Sequence, residues 1–293
     1  MIEVAGHTQE TDQRLIARIN PEIWPTQEEI HSAMKRIDYQ DGVFHCAVAG
    51  IAGSGKSSLI NAIRGLSNSK SKHPDAAEVG STETTRHVTR YPDPNPKKPV
   101  VWYDIPGAGT LTVPSPQYFN AQGLFLFDCI IVLFDNRFTE TDVSLLHNCS
   151  RFNIPSYIVR SKSNQGIKNT VEEMREDDEE CEDSLLYERA RERFTARAKE
   201  SVRENLSRAG LLDQRVYIVC RDGLRKVVKP EENSQVNIKV VIDEEVLLQD
   251  LLKEAYDRRV EDAAVAKSAL AERIKQLWAR CQLAAPQWVP HAS

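Results

Sequence analysis

One run of the chain, Gly50-Ile51-Ala52-Gly53-Ser54-Gly55-Lys56-Ser57, brings together what a bound polyphosphate needs. It matches G-x-x-x-x-G-K-[ST] in full. Glycines at these positions let the backbone curl until several N–H groups point into one concavity, a nest for anions. A helix beginning inside the motif adds the partial positive charge of its N-terminus at the same spot. The ammonium of Lys56 suits the β- and γ-phosphates, and the Ser57 hydroxyl suits a Mg²⁺ ligand. Ser58 extends the set of polar groups along the loop. A chance glycine-rich turn would lack the apolar strand before this motif and the helical pattern after it. Both flanks are present.

A second block, Val100-Val101-Trp102-Tyr103-Asp104-Ile105-Pro106-Gly107, is an apolar strand ending in a carboxylate. Asp104 is placed to hold the metal through water, and the Gly107 N–H to bond a γ-phosphate oxygen. Between the two blocks, Glu83-Thr84-Thr85 lies in a polar connection, where the Thr85 hydroxyl could complete the metal shell and register the γ-phosphate. Ser161-Lys162-Ser163-Asn164 follows another apolar strand. GTPases usually carry Asn or Thr, then Lys, any residue and Asp here, the Lys stem lying along the guanine ring and the Asp accepting from the base edge. Asn164 supplies one acceptor and no charge, so guanine selectivity should weaken. The last strand ends at Cys220-Arg221, where a base-binding loop is expected.

Together these blocks resemble the immunity-related, interferon-inducible GTPases. The likeness is carried by Gly53-Ser54-Gly55-Lys56-Ser57-Ser58-Leu59-Ile60-Asn61-Ala62-Ile63-Arg64-Gly65, by Glu83-Thr84-Thr85, by Trp102-Tyr103-Asp104-Ile105-Pro106-Gly107-Ala108-Gly109 and by Val159-Arg160-Ser161-Lys162. It runs from about Thr26 to about Leu252. It implies a Ras-like G domain of the P-loop NTPase class beside helices from both chain ends. It also implies GTP and GDP binding, slow GTP hydrolysis and nucleotide-dependent self-association through the nucleotide face. By position it gives Thr85 the role of the metal-binding switch threonine and Glu83 that of a glutamate acting in hydrolysis. Three departures stand out: a short C-terminal helical part, Asn164 in place of Asp, and the acidic stretch Glu172 to Asp183. The first of these puts membrane association in doubt, and the sequence does not indicate it.

Several readings of function remain open on these residues. A GTPase switch uses the whole set. A nucleotide-loaded binding module without hydrolysis is allowed by Asn164 and by Ala108, which stands where Ras-type proteins carry a water-orienting Gln. A P-loop ATPase or kinase fits the phosphate loop but leaves Ser161-Lys162 idle.

The elements needed to position these groups can be read from apolar runs. Strands are expected over Val43 to Ala49, His87 to Tyr91, Val100 to Tyr103, Cys129 to Phe134, Ser156 to Val159 and Val216 to Val219. Helical patterns lie between them, and the strand runs are continuous rather than alternating. That predicts a mainly parallel α/β sheet covered on both faces. Thr26 should cap a helix with Ile30, Ala33, Met34 and Ile37 on one side. Residues 1–25 read as an arm, 26–42 as an N-terminal helix and 43–243 as the G domain. An acidic insertion is expected at about 165–184, followed by a charged surface helix. Residues 244–285 form a helical segment and 286–293 a tail. The seam Val260, Ala263, Leu270, Ile274, Leu277 and Cys281 should pack against the helix around Met34 or a partner chain, the former being favoured.

Composition is consistent with this reading. The chain has 293 residues, a net charge of −5 and 41% apolar residues, enough for a core. It lacks the strongly basic balance of a nucleic-acid binder. Six cysteines lie far apart without metal-binding spacing, which suits a reducing compartment and a cytoplasmic protein. The greasy stretch from Gly123 to Phe134 is broken by Asp128 and too short to span a bilayer.

Overall fold

The structure is a computed structural model describing residues 24–69, 73–80, 87–107, 115–177 and 180–265. In chain order its elements are α1 (Gln27–Arg36), β1 (Phe44–Ala49), α2 (Lys56–Ile63), β2 (Thr89–Pro92), β3 (Val100–Asp104), α3 (Ser115–Ala121), β4 (Cys129–Phe134), α4 (Glu140–Arg151), β5 (Ser156–Arg160), α5 (Ser163–Asp177), α6 (Asp183–Arg208), β6 (Val216–Ile218), α7 (Arg221–Val228) and α8 (Glu244–Val265). Short 3₁₀ turns stand at Leu124–Leu126 and Ile238–Val240.

The strands form one sheet in the order β2-β3-β1-β4-β5-β6, with β2 antiparallel to β3 and every other pair parallel. Strands β1, β3 and β4 are buried along their whole length, as continuous apolar runs require when helices cover both faces. Alternate side chains feed two cores. Ala47, Ala49, Ile130, Val132 and Phe134 face one, packed by α1, α3, α4, α5 and α6. Phe44, Cys46, Val48, Ile131 and Leu133 face the other, packed by α2, α7 and α8. Among the described residues no helix is long and apolar enough to cross a membrane.

Thr26 closes a capping box at the start of α1: its Oγ1 accepts from Glu29 N at 3.2 Å, and Glu29 Oε2 accepts from Thr26 N at 2.7 Å. Just before it, the Trp24 and Phe152 rings meet at 5.0 Å, tilted by 55°, and Trp24 lies under the Arg151 guanidinium at 3.8 Å. The expected arm therefore ends in an anchored residue.

The first turns of α8, ahead of the expected seam, pack away from Met34. Leu247, Leu251 and Ala255 of α8 pack with Phe44 and Cys46 on one face of the sheet, whereas Met34 lies in the core of the other. The seam positions from Val260 to Cys281 lie outside the described side chains. Where the acidic insertion is expected to begin, the chain forms the regular helix α5, with Ile167 and Thr170 buried. Finally, α6 is more than a surface helix: Leu186, Ala190, Phe194, Val202 and Leu206 are buried along it. Phe194 lies so close to Gly166 that a Cβ there would come within 2.2 Å of its ring.

Candidate nucleotide site

The strand order reverses at β1, between β3 and β4, so the crevice for a ligand lies beyond the C-terminal ends of these strands. Gly50, Asp104 and Arg160 all emerge there. Gly50 has φ of +145°, and a Cβ on it would sit 2.0 Å from the Leu133 carbonyl oxygen of β4. Only glycine lets the loop leave β1 so close to its neighbour. Gly53 and Gly55 also have positive φ, +80° and +95°, and Gly55 occupies the N-cap of α2. Across the crevice, a Cβ on Gly107 would meet Ala52 at 2.9 Å, which brings the block after β3 directly against the phosphate loop.

The side chains expected to act on phosphate converge. Lys56 is buried, its Nζ donating to the carbonyls of Gly50 at 3.2 Å and Ile51 at 2.9 Å. The ammonium is thus stored inside the loop it serves. Ser57 Oγ donates to Asp104 Oδ2 at 2.5 Å. These two oxygens, one hydroxyl and one carboxylate, form a hard donor set beside the loop, and this fits Mg²⁺, which keeps waters and takes few protein ligands. Ser54 is fully buried, bonds the Ile51 carbonyl at 2.9 Å and stiffens the loop. The Ser58 hydroxyl accepts from Asn68 Nδ2 at 3.1 Å, so its side chain serves the helix surroundings.

The block after β5 is tied to the same loop. Ser161 Oγ donates to the Ser54 carbonyl at 2.7 Å, and Lys162 Nζ to the Gly53 carbonyl at 2.8 Å. Lys162 also pairs with Asp135 at 2.6 Å and adopts a positive φ of +54°. Asn164 is exposed, its Oδ1 accepting from the Gln165 N–H at 2.9 Å. Cys220 caps α7, its Sγ accepting from Gly223 N at 3.3 Å, while exposed Arg221 pairs with Asp222 at 3.1 Å. Burial pushes the Cys220 thiol up to about 11, with Glu244 adding to the shift, so the group stays a thiol at neutral pH. Glu83, Thr85 and Ala108 lie outside the described residues.

Three acids were not singled out from sequence. Asp135 follows β4 as Asp104 ends β3, and that parallel was the available signal. Asp142 closes a capping box with Thr139, and burial raises its pKa despite the Thr139 bonds that oppose the rise. Glu244 reads in sequence as an ordinary acid in a first helical turn, yet it is fully buried behind Cys220.

Known proteins similar to this chain are GTPases by name. Interferon-inducible GTPase 1 of Mus musculus is 34% identical over 148 residues, covering 50% of this chain and 34% of that protein. Interferon-inducible GTPase 5 of Bos taurus is 31% identical over 172 residues, 59% of this chain and 34% of that one. The chain therefore spans about a third of the length of the curated relatives it matches. Among solved structures, Toc33 from Arabidopsis thaliana aligns with a TM-score of 0.40 at 14% identity, over 66% of this chain and 77% of that one. The family model described as interferon-inducible GTPase (IIGP) matches residues 20–221. That span takes in the phosphate loop, Asp104, Lys162 and all six strands, so the fold is a P-loop G domain and the chain belongs to the interferon-inducible GTPase family.

Proposed function

We propose that the chain binds GTP and GDP, hydrolyses GTP slowly to GDP and phosphate with Mg²⁺, and self-associates through its nucleotide face in the cytoplasm. One observation carries the reading: Lys56 folds into a loop whose first glycine, Gly50, has no room for a side chain, and the next residue, Ser57, bonds Asp104. Family membership supports guanine over adenine, as does Lys162 laid across the loop at Gly53. The wide spacing of the six cysteines along the chain suits a reducing compartment.

Phosphoryl transfer asks the protein for position and charge more than for covalent chemistry. Lys56 would exchange its two carbonyl partners for phosphate oxygens, staying within the same concavity. Ser57 and Asp104 would hold Mg²⁺, which supplies charge neutralisation on the phosphates when bound. Thr85 would join that set. Gly107 offers its N–H to the terminal phosphate, held in place by contact with Ala52. Ala108 cannot orient water, so Glu83 or a group from a facing copy would do so, and this ties turnover to self-association.

Calorimetry with GDP, GTP and ATP, with and without Mg²⁺, together with phosphate release, tests the reading. Binding of GTP with turnover lost in Lys56→Ala is the expected result. GTP binding without any Lys56-dependent turnover would leave a nucleotide-loaded scaffold, and preference for ATP would make the chain an ATPase. Binding of no nucleoside triphosphate would end the proposal.

A further inference from the structure

The loop after β6 is held from behind by a carboxylate that phosphate chemistry does not use. Glu244, the first residue of α8, is fully buried. Its Oε1 accepts from Cys220 N at 2.8 Å and its Oε2 from Ile242 N at 2.5 Å. A Cβ on Gly223 would stand 2.3 Å from Oε1, so the missing side chain there makes the room for the carboxylate.

The peptide unit that Glu244 grips is shared. Its N–H belongs to Cys220, and its carbonyl, that of Val219, accepts from Ser163 N at 3.1 Å. One peptide plane is thus held at the oxygen by the loop after β5 and at the nitrogen by the C-terminal helix. Turning that plane breaks both bonds, and buried backbone groups do not go unpaired without cost. The two loops so joined are those carrying Lys162 and Asn164 on one side and Cys220 and Arg221 on the other. Neighbouring contacts fix the approach of the helix. Asp243 Oδ2 accepts from Ile218 N at 2.9 Å, and Tyr217 donates to Asp250 at 2.7 Å. An apolar residue would fill the space without the cost of burying a charge. The carboxylate instead places two backbone amides.

We propose that Glu244 is a positioning residue for the base-binding loops, through which docking of α8 sets affinity for the nucleoside and not for the phosphates. This rests on the site reading given above. Glu244→Gln keeps one acceptor oxygen for two backbone N–H groups, so one of the pair must face an amide N–H₂. Gly223→Ala leaves Glu244 in place and drives a methyl into its oxygen.

The test is calorimetry on the full chain and both variants, with GDP and with inorganic tripolyphosphate as separate probes. GDP binding should weaken about tenfold in each variant while tripolyphosphate binding stays at the wild-type level. Undiminished GDP affinity in either variant overturns the proposal. So does parallel loss of both probes, which would mark a general structural defect. A wild-type chain that binds neither probe would overturn the site reading itself.

Discussion

Lys56 sits folded among the carbonyls of its own loop, so its removal takes out the charge and also two bonds that shape the concavity. Lys56→Ala should lower GTP turnover at least about 100-fold, measured as phosphate release under saturating Mg²⁺. Asn164 belongs to a different step. Its oxygen is engaged by the next amide, and an Asp there would add the charge that favours the guanine edge. Asn164→Asp should raise the preference for GTP over XTP at least about tenfold, read from competition binding. Asp142 makes a pH prediction. Burial holds its folded pKa above the ordinary carboxylate value of 3.8, so its contribution to stability is complete below that value and is lost as pH rises through the folded value. Wild type should therefore gain stability relative to Asp142→Asn as pH falls from neutral toward 4, in paired urea titrations. Equal slopes would refute it. At this scale the phosphate loop and Asp104 were legible because spacing alone defines them. Glu244 was not, since only the tertiary fold turns a first-turn acid into a buried one.

Elements were readable where burial is uniform. The run Cys129 to Phe134 became β4 without a change of boundary, because both faces of that strand meet apolar helices. Helix α6 was misjudged for the opposite reason: its buried positions recur mostly every fourth residue among charged neighbours, and the charge pattern masked the stripe. Helix α7 escaped notice because only Gly223 and Leu224 are buried in it. Packing of α6 on α5 supplies a direct test. Gly166→Ala places a methyl 2.2 Å from the Phe194 ring, and it should cost about 1–3 kcal/mol in denaturant unfolding. Pairing it with Phe194→Leu should recover part of that loss, a result that a backbone-only effect would not give.

For the whole molecule, the sheet constrains how copies can meet. One edge strand, β2, is short and ends in Pro92, and the other, β6, has three residues. Neither invites a second sheet to pair along it. The proposed function instead joins copies through the nucleotide face. It predicts that specific GTPase activity climbs with protein concentration and that Lys56→Ala abolishes the climb. Activity per molecule that is flat across concentration would exclude it.

The meeting of Gly50 with the Leu133 carbonyl, and of Lys162 with the Gly53 carbonyl, also bears on synthesis. The phosphate loop leaves the ribosome long before the strand that buttresses it and the lysine that roofs it. A nascent chain halted before Lys162 carries every loop residue without the frame that shapes them. Ribosome-bound chains of that length should pass unretained over immobilised GDP, and capture should begin only once translation has gone beyond α8. Nucleotide thus becomes a late reporter of a finished G domain rather than a seed for folding.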